Sequence, residues 1–439
     1  MKQRRLNTSF AGRHRRLIGL VILLLALAGV YWWQRYGSEV EFTAVQPQNI
    51  LKKEAPKGGK IISIESVETV PAEQVLALSR QNYGAAAPQP TGPVTKALVR
   101  YQSYTPKNEE IVVYARIYLP TSGSNLPVFA FAPGTTGIGD QCAASLEQPA
   151  KSNWANYESH MMAYAGQGYA SVITDYEGMR DPSRIHHYMI GELEGRAVLD
   201  SIRAMGNWEN TKSRINKDAT FVSGFSQGGH SAMWADKIAG TYAPEMDIKG
   251  VIGFGPVSDV KRTLADVTRG ANINWFGPFV MTSYQDYYKR NYDVSTMLQP
   301  RWVNTLSNDV STHCIDSVIN YWGRSAAAVY TPAFRQAMSS GNWNQFADFS
   351  QALDENEVGD QDTASAKLIN QGQRDNVILH GQQEYVLPKI CRNSQGAVGY
   401  KLYPSADHYN IMVQSFGDTI VWMKAVTAGQ PTTSACAGR

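Results

Sequence analysis

Cysteine is scarce in this chain, with four among 439 residues. Cys142, Cys314, Cys391 and Cys436 contain no C-x-x-C pair, which argues against a zinc ribbon or a dithiol redox site. Four cysteines allow three pairings into two bridges, and their spacing does not choose among them. Charge is also sparse, at 18% of residues. Lys2, Arg4, Arg5, Arg13, Arg15 and Arg16 all precede the first apolar run, and without those six the formal charge of +3 turns negative. A slightly acidic remainder offers no footprint for nucleic acid. No internal repeat occurs, which argues against solenoids and propellers. What the chain has in quantity is apolar side chains, 43% of it. That suits a large buried core rather than a disordered chain.

Only one long apolar run carries no charge, Leu17 to Trp33. At about seventeen residues it lies at the lower limit for spanning a bilayer. Basic residues precede it, and Glu39 and Glu41 follow. The positive-inside rule then leaves the N-terminus in the cytoplasm and the rest outside. Two readings compete. Ala26-Leu-Ala28 offers a signal-peptidase-like site, which predicts a secreted chain. Tyr31, Trp32 and Trp33 resemble an interfacial belt, which predicts a retained transmembrane anchor and a membrane partner. The anchor is the preferred expectation. Either way the bulk of the chain works outside the cytoplasm, where disulfides are permitted.

Residues 1–36 are thus expected to be the basic stretch and anchor, and 37–94 a linker that ends in the Gly-, Ala- and Pro-rich segment Tyr83 to Pro93. Strand signals begin at Leu98 to Tyr104 and Ile111 to Leu119. Short apolar runs follow at Pro127 to Pro133, Ala170 to Thr174, Thr220 to Ser223, Gly250 to Phe254 and Asn376 to Leu379. Such runs fit strands buried on both faces of a parallel sheet. Between them, Val198, Ile202 and Met205 recur at helical spacing, as do Met412, Phe416, Ile420 and Met423. Alternating strands and helices predict an α/β fold with a mostly parallel sheet flanked by helices. Residues 95–259 and 367–430 would supply its two parts, and 431–439 a polar tail. The stretch 260–366 breaks the rhythm. It lacks a clear buried strand and is rich in Trp, Tyr and Phe. It predicts a helical insertion serving as a cap over an apolar pocket.

Gly224-Phe-Ser-Gln-Gly228 matches G-x-S-x-G. The pentapeptide alone is a weak signal. Its setting, between a buried strand and a helix, is that of a nucleophile elbow. Ser226 is therefore the expected nucleophile. The Gln227 amide, at the start of the helix, would face a developing oxyanion. A serine nucleophile needs a base, and a group that orients the base. On this fold the order is Ser, acid, His. Of His230, His313, His380 and His408, the last follows a strand and precedes the final helix, and is the expected base. The acid is expected in the loop after Asn376 to Leu379, at Glu384. Asp375 would lie at the wrong end of that strand, Asp362 is further away, and Asp407 adjoins the histidine it would have to orient. Thr135 or Thr136, in the Gly-rich turn after Pro127 to Pro133, would give the second oxyanion amide.

At these positions the chain resembles the secretory lipase family of α/β-hydrolases, over about 99–421. Pro133-Gly-Thr-Thr-Gly137 with Cys142-Ala-Ala-Ser145 is similar to the family's H-G-T-x-G and C-A-P-S. Asp175-Tyr-Glu-Gly178 with His187-Tyr188 and Gly195 to Asp200 resembles D-Y-x-G, H-x-Y and the helix after them. Gly224-Phe-Ser-Gln-Gly-Gly229 resembles G-x-S-Q-G-G. Gly381-Gln-Gln-Glu384 with Pro388, then Asp407-His408, resembles G-x-x-D-x-x-V-P and D-H. Pro133 stands in place of the family's His, and Glu384 in place of its Asp. The resemblance implies an α/β-hydrolase fold with a helical cap. It implies hydrolysis of small-molecule or lipid carboxylic esters through an acyl-enzyme, with no cofactor and no metal. Asp175 and Tyr176 would shape the substrate floor. An acyltransferase or thioesterase with the same triad, or a non-catalytic binding protein on the same fold, are the rival expectations.

Overall fold

The computed structural model describes residues 56–148, 154–290, 292–360 and 362–436. Its centre is a nine-stranded sheet. The strands are β1 (Ile61–Val70), β2 (Val94–Tyr104), β3 (Glu110–Pro120), β4 (Leu126–Ala132), β5 (Ala170–Thr174), β6 (Ile215–Phe225), β7 (Ile248–Phe254), β8 (Ala366–Gly372) and β9 (Val398–Tyr403). They lie in the order β1-β2-β3-β5-β4-β6-β7-β8-β9. β1, β2 and β3 pair antiparallel in sequence, and β3 pairs antiparallel with β5. From β5 to β9 every pairing is parallel.

Parallel strands need helical crossovers, which cover both faces of a sheet. The residues of β4 show the result. Val128, Ala130 and Ala132 pack into one core, and Phe129 and Phe131 into another. Successive side chains of a strand point to opposite faces, so a strand covered on both sides is apolar throughout. On the first face lie α3 (Gly191–Asn207) and α4 (Gln227–Tyr242). On the second lie α1 (Ala72–Tyr83), α2 (Tyr157–Gly166) and α10 (Phe416–Thr427). Val198, Ile202 and Met205 of α3 are buried, as their spacing predicts. With the helical insertion described next, this arrangement is the α/β-hydrolase fold.

Between β7 and β8 the described residues form helices with a single isolated β-bridge, Leu298 to Tyr330. They include α5 (Val260–Asp266), α6 (Phe276–Tyr288), α7 (Pro332–Ser340) and α8 (Ala347–Asp354). Aromatic residues of the insertion, including Phe276, Phe279, Tyr330, Phe334 and Phe349, help to form a third core. Tyr188, Ile190 and Leu193 join that core from the sheet domain, so the insertion packs down onto the start of α3. Cys142–Cys314 ties the loop after β4 to the insertion, and Cys391–Cys436 ties α9 (His380–Asn393) to the C-terminal segment.

Three expectations are corrected, and a fourth stretch, the polar tail, is given a position. The expected linker contains β1 and α1. β1 is an edge strand with mostly exposed side chains, so it lacks the buried alternation that reveals a strand in sequence. Asn376 to Leu379 is not a strand. The strand is β8, where Lys367, Asn370 and Gln371 are buried with polar partners: Lys367 pairs with Asp236, Asn370 with Thr419 and Gln371 with Asp375. The expected polar tail is held in place, since Ala435 donates to the Val398 carbonyl at 2.7 Å and Cys436 is bridged. Finally, among the described residues no helix is long and apolar enough to cross a membrane. The longest, α3, has 17 residues and carries Glu192, Glu194, Arg196, Asp200 and Arg203. Leu17 to Trp33 lies outside the described residues. No described helix supports the transmembrane segment, the membrane partner or the membrane-anchored localisation.

Candidate active site

β6 ends at Phe225 and α4 begins at Gln227, so Ser226 forms the whole of the turn between them. Its backbone sits at φ 55° and ψ −114°, a conformation that costs an L-residue free energy and is tolerated where the surroundings over-determine it. Here they do. The Ser226 amide donates to the Phe254 carbonyl at 3.0 Å, and its own carbonyl accepts from Val257 and Gly229, both at 3.0 Å. The flanking glycines permit this closeness. A β-carbon on Gly224 would collide with the Gly228 carbonyl, and one on Gly228 with the Ala132 carbonyl.

His408 follows β9 and is 4% exposed. Its ring lies 4.7 Å, centroid to centroid, from that of Phe225, the residue before Ser226. Its Nδ1 is 2.8 Å from Asp375 Oδ2. Asp375 comes three residues after β8 ends, at the carboxyl edge of the sheet. Its Oδ1 accepts from the Val377 and Ile378 amides at 2.9 and 2.8 Å, and its Oδ2 from Gln371 Nε2 at 3.1 Å. A carboxylate with those donors acts as an acceptor, so Nδ1 carries the imidazole proton and Nε2 presents a lone pair. Gly255, directly after β7, makes room for the pair. A β-carbon there would lie 3.2 Å from Asp375 Oδ2 and 3.3 Å from His408 Nδ1.

Residues 148–435 match the model of the secretory lipase family. The chain belongs to that family. Among curated relatives, Lipase A of Moesziomyces aphidis is 26% identical over 211 residues, covering 46% of this chain and 43% of that protein. The chain spans less than half the length of the curated relatives it matches. A Legionella pneumophila structure superposes with a TM-score of 0.73 at 14% identity, covering 85% of this chain and 100% of that one. The rice cell wall degrading esterase LipA of Xanthomonas oryzae, in a ligand-bound form, gives 0.68 at 18% identity, covering 85% and 97%. At such identities the structural likeness concerns the fold.

In this member of the family the structure does not bring Glu384 to His408. Glu384 lies on α9 with its side chain 56% exposed, 3.1 Å from His380 one turn earlier. The misplacement followed from the misread strand. Once β8 is taken as Ala366–Gly372, Asp375 stands after a strand and not before one. A sequence signal was present. Gly372-Gln-Arg-Asp375 has the family's G-x-x-D spacing with its usual Asp, whereas Gly381-Gln-Gln-Glu384 required a substitution.

The loop after β4 meets the elbow at Pro133 and Gly134. A β-carbon on Gly134 would approach the Phe225 carbonyl to 3.0 Å. Thr135 Oγ1 lies 2.7 Å from the Tyr188 hydroxyl. Thr136 is wholly buried, and its carbonyl accepts from Ile315 of the insertion at 2.9 Å. Tyr176 donates to the Pro133 carbonyl at 2.6 Å, which braces this loop from below. Asp175 accepts from the Ser145 amide and hydroxyl at 2.7 and 2.5 Å. Burial pushes its carboxyl up to about 6, against those hydrogen bonds. Asp175 and Tyr176 thus support the loop from beneath.

A buried polar cluster that no sequence motif marks lies under the elbow. Glu194, in the first turn of α3, accepts from Gln227 Nε2 at 2.7 Å and from Ser231 Oγ at 2.7 Å. His230 and His186 lie 3.4 and 3.7 Å from it. Burial acts to raise the Glu194 carboxyl. Hydrogen bonding to His230 and the nearness of His230 and His186 outweigh burial and hold it below its ordinary value. Burial pushes His186 down. A second cluster joins sheet domain and insertion. His187 sits between Glu177 Oε2 at 2.9 Å and Asp286 Oδ2 at 2.8 Å, and although burial opposes it, those two carboxylates raise its pKa.

Proposed function

We propose that this chain is a serine ester hydrolase working through an acyl-enzyme outside the reducing cytosol. Ser226 attacks the ester carbonyl. His408 Nε2 takes the serine proton and later delivers it to the leaving alcohol. Asp375, rather than Glu384, orients His408 and stabilises its charged form. The Gln227 amide and that of Thr135 or Thr136 hold the oxyanion. Water then attacks the acyl-enzyme, and the same steps run in reverse order to free the acid. The observation that carries this reading is the buried His408–Asp375 pair at 2.8 Å, seated against the strained turn of Ser226. Gln227 supports its role as the first residue of α4, because the leading amides of a helix have no intrahelical acceptor. The two disulfides support an oxidising compartment.

A groove of about 960 Å3 runs between Ile138 to Gln141 and the insertion. Ile138, Val303, Leu306 and Val310 line it together with Asp140, Arg184, Asp286 and Lys289, and none of Ser226, Asp375 and His408 lies in its wall. The purified protein assayed on p-nitrophenyl esters of graded acyl length is the test. Hydrolysis is expected, with loss of at least about a thousandfold in Ser226→Ala. Equal rates for parent and Ser226→Ala would remove the reading.

One observation favours weighing acyl transfer as a second reading. Ser226 and His408 are only 7% and 4% exposed, and a shielded acyl-enzyme lets an alcohol compete with water. Product analysis with added alcohol separates the two, since transfer yields a new ester. Absence of Ser226 labelling by a fluorophosphonate would indicate a binding protein instead.

A further inference from the structure

We propose that Glu194 is a positioning residue for the oxyanion site, one buried carboxylate that holds both backbone segments whose amides would face the reacting oxygen. The inference rests on the reading of Ser226 as nucleophile. It starts from an oddity of placement. Glu194 is 1% exposed on α3, a helix that contributes none of the reacting groups, yet its hydrogen bonds converge on the elbow and its neighbours.

The first segment is the elbow. Gln227 follows Ser226 directly, and its Nε2 lies 2.7 Å from Glu194 Oε1 and 2.9 Å from His186 Nε2. His186 Nδ1 faces the Glu177 carbonyl at 3.0 Å. A carbonyl only accepts, so Nδ1 carries the proton and Nε2 is an acceptor. Both amide protons of Gln227 are then in use. A side chain pinned at its far end limits rotation of its own backbone, and that backbone holds the amide after Ser226. One turn on, Ser231 Oγ lies 2.7 Å from Glu194 Oε2, which fixes α4 at a second point.

The second segment is the loop after β4. Ser231 Oγ packs 3.1 Å from the Tyr176 hydroxyl, each giving its one proton elsewhere, Ser231 to Glu194 Oε2 and Tyr176 to the Pro133 carbonyl at 2.6 Å. Pro133 precedes Gly134 and Thr135. A separate route reaches the same loop. Glu194 Oε1 accepts from the Met189 amide at 2.9 Å, and the neighbouring Tyr188 hydroxyl lies 2.7 Å from Thr135 Oγ1. The separation of two oxyanion amides must match one oxygen atom, and donors within about 3 Å of it act strongly only when preorganised. A single acceptor shared by both segments sets that separation.

Glu194→Gln tests this, because an amide keeps the size but turns one acceptor oxygen into a donor facing donors. The expected result is a fall in kcat of about 10- to 100-fold with KM within about twofold, since donors to the oxyanion act in the transition state. Affinity for an alkyl boronic acid, which forms a tetrahedral adduct on the serine, should fall in parallel. Gln227→Met and Ser231→Ala each cut one connection and leave Glu194 in place. They should give smaller losses of the same kind that do not add to that of Glu194→Gln. If all three variants lower only the melting temperature, with kcat and boronate affinity within about twofold of the parent, the proposal is overturned. If Glu194→Gln does not fold, the two single-connection variants decide by the same criterion. The parent and Ser226→Ala are run first. Equal rates there overturn the functional reading itself, and this proposal with it, whereas a parent that depends on Ser226 leaves the Glu194 variants to decide alone.

Discussion

Asp375 and Glu384 lie on the two sides of one short apolar segment, and their surroundings differ in every respect that matters. Asp375 is 4% exposed and meets His408, the Gln371 amide and two backbone amides. Glu384 lies on the outer side of α9 and, among the described residues, pairs with His380, itself exposed. An exposed pair of this kind, screened by water, contributes little. A carboxylate held by several donors in a dry pocket has one orientation and can impose it on an imidazole. Fitness to orient a base therefore comes from burial and donor count, and the choice between Asp and Glu matters less than the loop that carries it.

Asp375→Asn should strain this contrast most. A side-chain amide in that place can present a donor to Nδ1 and favour the wrong tautomer, so kcat for a p-nitrophenyl ester should fall by about 10³- to 10⁴-fold. A fall of that size in Glu384→Gln, with Asp375→Asn near the parent, would reverse the comparison. Gln371→Leu should sharpen it. The variant removes the donor at 3.1 Å from Asp375 Oδ2 and keeps the carboxylate, and kcat should drop by about 5- to 20-fold. Read by steady-state kinetics, a drop as large as that of Asp375→Asn would mean that Gln371 acts on its own account.

Histidines extend the contrast to stability. His160, in the sheet core, has its pKa lowered to about 3 by burial. It therefore favours folding less as pH falls below about 6.5, where the unfolded chain takes up a proton and the folded one does not. His187, between Glu177 and Asp286, has a raised pKa. Its contribution is fully present below about pH 6.5 and is lost as pH rises through the raised folded value. Arg184 and Lys289 face the same two carboxylates. His187→Gln should thus lower the melting temperature by about 2–4 °C near pH 5.5 and by less above pH 8, as followed by differential scanning calorimetry. A deficit that grows with pH would contradict the sign. The smallest effect belongs to Glu384→Gln, with kcat and melting temperature near the parent's, kcat within about twofold.

Much of the fold was legible because burial on two faces leaves its mark on composition. β4 is apolar throughout and β5 and β7 are mostly so, and these three strands were expected where they lie to within a few residues. The elbow was legible because its sterics demand glycine at Gly224 and Gly228 around a residue with positive φ. The insertion could be read from its aromatic content and the absence of strands. β8 could not, because Lys367, Asn370 and Gln371 are polar residues that find partners only once the sheet is assembled. Val377 and Ile378 misled for the converse reason. They are apolar because they pack into the core of the insertion, not because they form a strand.

By itself, then, the sequence determined the family, the doubly covered parallel sheet, the strand–turn–helix setting of Ser226 and the position of His408 after the last strand. These are consequences of local sterics and of apolar periodicity, which act over a few residues and can be read in order along the chain. Only the tertiary structure decided that His408 pairs with Asp375, that Cys142 meets Cys314 and Cys391 meets Cys436, and that Glu194 gathers Gln227, Ser231 and Met189 around one carboxylate. Each of those depends on bringing distant side chains into a low-dielectric interior, where a polar group is stable only with partners that the linear order does not name.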